Sequence, residues 1–264
     1  IVGAQCDILH GLALRRQRGL WYSGAMELST ASSFTTPAGP LAAVKVQAMQ
    51  HDKLLAYSHG LRFAEFVRRS ERFGRLLQTR LAETRLGPAV QLAAACFPET
   101  MNILAVVSEE DPDTLAVLPI IARLVAAGPR LMLRVLSDDD DLTPLFVLAP
   151  ELDPATLLNE WDLPQFLCFD EDWFLQAQWG PRPNAAEADV EAWLASHPEY
   201  ETLADDESPA GQEQYAALVE ELLYEMRVWY NSGLTQSCLE EWLELLRAWQ
   251  AADELAATEG NPNA

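Results

Sequence analysis

Apolar residues in this chain change their spacing twice, and each change predicts a different kind of structure. From 50 to about 96 they recur at helical steps: Leu54, Leu55 and Tyr57, then Leu61, Phe63, Phe66 and Val67, then Leu76, Leu77 and Leu81. Gly60 and Gly87-Pro88 punctuate this run as breaks. Between 101 and 196 the apolar runs become short and continuous, as buried strands require. NILAVVS reads as a first strand, and a helix opens at Asp111-Pro112 and runs through Ala127 to Gly128-Pro129. RLMLRVLS (130–137) reads as a second strand, followed by the acid run Asp138–Asp141 and a helix beginning near Leu142. Asp153-Pro154 starts another helix, ATLLNEW. QFLCFD (165–170) and FLQAQW (174–179) predict a hairpin across a short acidic turn, and AEADVEAWLASH a closing helix. The order β-α-β-α-β-β-α demands a right-handed parallel crossover and then an antiparallel pair, which is an α/β fold with a four-stranded mixed sheet.

The C-terminal part returns to helical spacing. Tyr215, Leu218, Val219, Leu222, Leu223, Met226, Trp229 and Tyr230 make one stripe, and Leu239, Trp242, Leu243, Leu246 and Trp249 a second. Asn231-Ser232-Gly233 between them predicts a left-handed cap and a helical hairpin with a Trp-rich inner face. Such a face must be buried on the α/β core or on a second subunit, so a homodimer is one expectation.

Residues 1–48 differ from the rest. They begin with Ile, contain the small polar stretch STASSFTTPAGP, and precede the helical periodicity that starts near Met49. The expectation is a disordered or non-native segment, with Ile1, Met26 or Met49 as the start of translation. The predicted organisation is therefore 1–48 apart, a helical extension over 49–97, the α/β domain over 98–200, the helical hairpin over 201–252 and a polar tail over 253–264.

Charge narrows the partners. The formal net charge is −22, but residues 1–97 carry a net +6 and residues 98–264 a net −28. So acidic a surface argues against sequence-independent nucleic-acid binding, which requires neutralising phosphates. The basic stretch RFAEFVRRSERFGRLLQTR (62–80) reads as an amphipathic helical run whose charged face meets the acidic domain or water. No apolar run approaches the roughly 18–20 residues of a membrane span. The apolar ILHGLAL precedes the basic RRQR instead of following it, so no secretory pattern is recognisable and the cytoplasm is expected. Cysteines stand alone at 6, 96, 168 and 238, without CxxC or metal-ligand spacing, and Cys168 and Cys238 read as small core residues.

The central block is similar to a thioredoxin fold in three landmarks: the helix-opening tetrad after the first strand, Pro119 within that helix, and Leu163-Pro164 before the hairpin. Trp179-Gly180-Pro181-Arg182-Pro183, together with EMRVWYNSGL (225–234), resembles a bacterial subgroup of thioredoxin family proteins over roughly 50–250. The resemblance implies that Pro164 is cis and faces the tetrad. It also implies thiol–disulfide chemistry and cell redox homeostasis, from which this chain departs. The tetrad is Asp111-Pro112-Asp113-Thr114, with Asp111 and Thr114 at the two cysteine positions. Without a thiolate at the helix N-terminus there is no mixed disulfide and no exchange cycle. What remains is a good helix start, with an N-cap Asp, Pro at the first helical position and a further acid suited to the dipole.

Other chemistry is weakly signalled. Ser108, Glu109, Glu110, Asp111 and Asp113 lack calcium-loop spacing, and adjacent acids in one turn do not make a hydrolytic pair across a cleft. His10, His51, His59 and His197 read as surface or helix-end residues, and no metal or cofactor is expected. Pro164, Trp179 and Arg182 are the candidate binding residues, Trp179 and Arg182 offering a planar stacking surface and a bidentate cation. The alternative places Arg182 on an internal acid and Trp179 on the C-terminal helices. The function expected is a non-catalytic protein that binds a protein or peptide partner, or scaffolds one. The competing expectation is an oxidoreductase using a lone cysteine such as Cys168.

Overall fold

The structure, a computed structural model, describes residues 40–152 and 162–259, with side chains over 47–152 and 162–252. The predicted helix after Asp153-Pro154, the segment before Pro40, Cys6, His10 and the last five residues lie outside the described residues. Four helices lead in: α1 (Pro40–His59), α2 (Phe63–Arg69), α3 (Gly74–Glu83) and α4 (Pro88–Ala95). Gly60 and Gly87-Pro88 break the run as predicted, and a further break before Gly74 separates α2 from α3. Met49 lies inside α1, so the helix begins nine residues before the predicted boundary at 49.

The central block forms β1 (Met101–Val107), α5 (Pro112–Val125), β2 (Leu131–Ser137), α6 (Thr143–Leu148), β3 (Gln165–Phe169), β4 (Leu175–Trp179) and α7 (Glu187–Ser196). The sheet order is β2-β1-β3-β4. β1 pairs with β2 in parallel and with β3 antiparallel, and β3 pairs with β4 antiparallel. β1 is buried at every position, which is why its sequence is an unbroken apolar run. Side chains alternate between two cores. Met101, Ile103, Ala105 and Val107 face a large core shared with α3, α4, α5 and the C-terminal helices. Leu104 and Val106 face a smaller one closed by Ala56 and Tyr57 of α1, Leu145 and Leu148 of α6, and Trp173 of the β3–β4 turn.

After α8 (Glu199–Ala204) come α9 (Pro209–Trp229) and α10 (Thr235–Glu259), the latter continuing past the tail boundary predicted at 253. The connection corrects the prediction of a left-handed cap. Tyr230–Leu234 form a π turn, and Gly233 has φ 165°, which is extended backbone. The two helices therefore flank a kink and share α5 as a packing partner. Their stripes are buried inside this chain: Trp242, Leu239 and Tyr230 are at most 1% exposed, so the argument for a second subunit from those stripes lapses. Among the described residues no helix is long and apolar enough to cross a membrane.

Candidate functional site

The first turn of α5 starts directly above the C-terminal end of β1. Asp111 is the N-cap, in extended conformation at φ −71° and ψ 128°, and its Oδ1 accepts the Thr114 N–H at 3.0 Å. Pro112 takes the first helical position, where no N–H is needed. The tetrad is graded in exposure: Asp111 is half-buried, whereas Pro112, Asp113 and Thr114 are buried. A cap half-open to water and a buried residue three positions on are within reach of each other, as the 3.0 Å contact shows.

Asp113 does more than suit a helix dipole. Its Oδ2 accepts from Arg182 Nε at 2.9 Å and Nη2 at 2.5 Å, and Arg182 Nη1 lies 3.4 Å from Glu187 Oε2. The Asp113 Oδ1, the Thr114 hydroxyl and the Tyr230 hydroxyl are buried without a hydrogen-bond partner in the protein. One guanidinium thus faces several carboxyls: Asp113, Glu187 and, at longer range, Asp162. Burial works against the Arg182 charge, but Asp113, Glu187 and Asp162 outweigh it and hold the guanidinium above its ordinary pKa. Asp111 moves the other way for a carboxyl. Burial first, and then the Asp113 charge, push it up, and the Thr114 N–H only partly offsets them. Glu187 is raised chiefly by burial, with Arg182 opposing.

The motif WGPRP is the clamp that builds this arrangement. Gly180 has φ +137°, and a Cβ there would stand 2.2 Å from the Pro164 carbonyl oxygen, so only glycine permits the approach. The Leu163-Pro164 bond is cis, as the family resemblance implies, and so is Gly180-Pro181. Trp179 Nε1 donates to Glu241 Oε2 at 2.8 Å, and Glu241 Oε1 accepts the Asn184 N–H at 2.8 Å. The Trp179 ring lies 5.7 Å from both Phe166 and Trp242. WGPRP therefore ties the sheet edge to α10 through Trp179 and to α5 through Arg182. Both side chains of this pair are engaged within the chain, Arg182 with Asp113 and Trp179 with Glu241. Pro164 is buried as well, so none of the three binding candidates offers a fully open surface.

The remaining candidates are accounted for by local contacts. Glu109 and Asp140 bind Arg69 at 3.1 and 2.8 Å, and Glu110 binds Arg72 at 3.4 Å. The basic helical run meets the acidic domain here. Asp141 accepts the Thr143 N–H at 2.9 Å at the start of α6. Cys168 and Cys238 are fully buried, and burial pushes both thiols up. Cys96 is exposed at the end of α4, with a free thiol. His197 stacks on Trp193 at 4.1 Å, and His51 and His59 are exposed on α1. Sequence reasoning missed Glu187, Asp162 and Glu241. Glu187 stands five positions after Arg182 and could have been paired with it, but Glu241 is 62 residues from Trp179 with no local signal.

No protein-family model and no curated protein matches this chain. Among solved structures, a protein of unknown function from Pseudomonas aeruginosa is 19% identical, with a TM-score of 0.40, over 64% of this chain and 93% of its own. An HIV epitope-scaffold is likewise 19% identical, with a TM-score of 0.39, over 64% of this chain and 97% of its own. Neither likeness is strong enough to assign a fold family, so the function rests on the residues themselves.

Proposed function

We propose that this chain is a thioredoxin-like protein whose redox turn has kept its structural role without its chemistry, and that it acts as a non-catalytic protein- or peptide-binding module. The reading is supported by the sheet order β2-β1-β3-β4, with β1 and β2 as the parallel pair and α5 rising from the end of β1. The observation that carries it is the tetrad. A half-open cap and a buried residue one turn on are where a reactive and a resolving thiol would stand, and they are Asp111 and Thr114. Asp113 beside them is locked to Arg182. At this turn Asp111 is the half-buried residue that a peptide can reach. Oxidoreductase chemistry through Cys168 is disfavoured, because a buried thiol whose pKa is raised supplies little thiolate.

Insulin reduction with dithiothreitol tests this directly, with the native protein beside the Asp111→Cys, Thr114→Cys double variant. The native protein is expected to be inert and the variant to form a disulfide and gain turnover. Turnover by the native protein would overturn the reading.

A further inference from the structure

The two faces of the sheet are closed unequally. Ten large apolar side chains are exposed among the described residues, and six of them lie on the three elements that close the smaller core. They are Met49, Leu54 and Leu55 on α1, Phe146 and Val147 on α6, and Phe174 at the β3–β4 turn, each between 37% and 52% exposed. These elements converge. The Tyr57 and Trp173 rings are 5.2 Å apart, Lys53 Nζ donates to the Trp173 carbonyl at 3.0 Å, and Gln50 Nε2 to Asp172 at 2.8 Å. Leu145 and Leu148 of α6 share their buried cluster with Ala56 and Tyr57 of α1.

The segments carrying this apolar rim are predominantly acidic, with Arg134 of β2 lying over the Tyr57 ring at 6.0 Å. Residues 47–59, 138–152 and 170–175 hold nine carboxylates and one lysine. Asp52, Asp139, Asp141, Glu151, Glu171 and Asp172 are exposed. Lys53 is engaged by the Trp173 carbonyl, and Asp140 is paired with Arg69. Apolar side chains on two neighbouring helices and a turn, ringed by acids, suit the apolar stripe of a helix whose flanks are basic. A second copy of this chain is disfavoured at this face, because it would bring the same acidic ring against itself.

We propose that the face formed by α1, α6 and the β3–β4 turn is a docking surface for a Lys/Arg-flanked amphipathic helix of a partner protein. This surface is separate from the α5 turn and does not depend on the function proposed for it.

The test uses the full chain and a labelled Leu/Lys amphipathic peptide of about 14 residues, read by fluorescence anisotropy, with the Leu/Glu counterpart as control. The Leu/Lys peptide is expected to bind and to weaken with salt, and the Leu/Glu peptide not to bind. Leu54→Asp with Phe146→Asp should raise Kd roughly tenfold or more. Tyr224→Asp with Val228→Asp, at exposed apolar positions on α9, should leave it within about twofold and so separates this face from the general acidity of the protein. Equal effects of the two pairs, or no binding of the Leu/Lys peptide, would overturn the proposal. So would a concentration-dependent dimer in sedimentation that Phe146→Asp dissolves, because a second copy would then cover the face.

Discussion

α5 and α9 begin with the same local device and differ in what surrounds it. Asp111 and Ser208 are both extended N-caps. Each accepts an N–H three residues on, at 3.0 and 3.1 Å, and each is followed by Pro at the first helical position. Around Ser208 the chain is exposed. Around Asp111 the first turn is buried, and the next acid, Asp113, is held by an arginine 69 positions away. A cap is a transaction between near neighbours, so it can be recognised from the sequence. A buried carboxylate is tolerable only because of a distant partner that the fold delivers.

The sharpest way to break the comparison is to remove that partner. Arg182→Met leaves Asp113 and Glu187 in a poorly solvated site without their cation, and should cost about 3–5 kcal/mol in urea unfolding at neutral pH. The double variant Asp113→Leu, Arg182→Met removes both charges of the pair and should recover most of that loss, since a buried pair replaced by apolar groups is often near neutral. A double variant as unstable as the single one would mean that Arg182 acts through packing and not through the Asp113 charge.

A smaller and pH-dependent effect separates the two caps themselves. The folded-state pKa of Asp111 is raised to about 8, by burial first and by Asp113 second. A carboxyl with a raised folded pKa takes up its proton in the native state before the unfolded chain does. Its unfavourable contribution is absent below the unfolded value near 3.9 and grows as pH rises towards the folded value. For one proton the slope is at most about 1.4 kcal/mol per pH unit. Asn caps as well as Asp, so Asp111→Asn should stabilise the protein at pH 8 relative to wild type and do little at pH 4. Chemical denaturation across that range checks it, and a variant difference that does not change with pH would remove the strained charge from Asp111.

What was legible in the sequence follows the same division. β1, α5, β2 and the hairpin were recognisable because burial on both faces of a strand, a cap with a proline, and a Gly-Pro stop are all local patterns. The tetrad's capping role was legible for that reason. The pairing of Asp113 with Arg182, and of Trp179 with Glu241, was not, because it depends on a clamp whose geometry is fixed by Gly180 lying against the Pro164 carbonyl. The π turn at Tyr230–Leu234 was misread because Asn-Ser-Gly is compatible with a left-handed cap, whereas Gly233 is extended and Tyr230 and Leu234 on either side of the kink are buried.

The smallest expected effect belongs to the plain cap. Ser208→Ala removes the hydroxyl that accepts the Gly211 N–H and leaves that donor without its partner at the start of a 21-residue helix. The expected loss is about 1 kcal/mol. Between pH 6 and 8 it should be constant, because the hydroxyl does not titrate and the one carboxyl bonded to this residue, Asp206, is held below its ordinary value first by the Ser208 N–H and second by the Ser208 hydroxyl, of which the variant loses only the second. It is therefore ionised throughout that range in the variant as in the parent, since the backbone N–H survives the substitution. Urea unfolding of Ser208→Ala and Asp111→Asn side by side at pH 6 and 8 should give a fixed difference from wild type for the first and a growing one for the second. A Ser208→Ala loss that varied with pH would show that the α9 start is also electrostatically coupled and that the two helix starts differ only in degree.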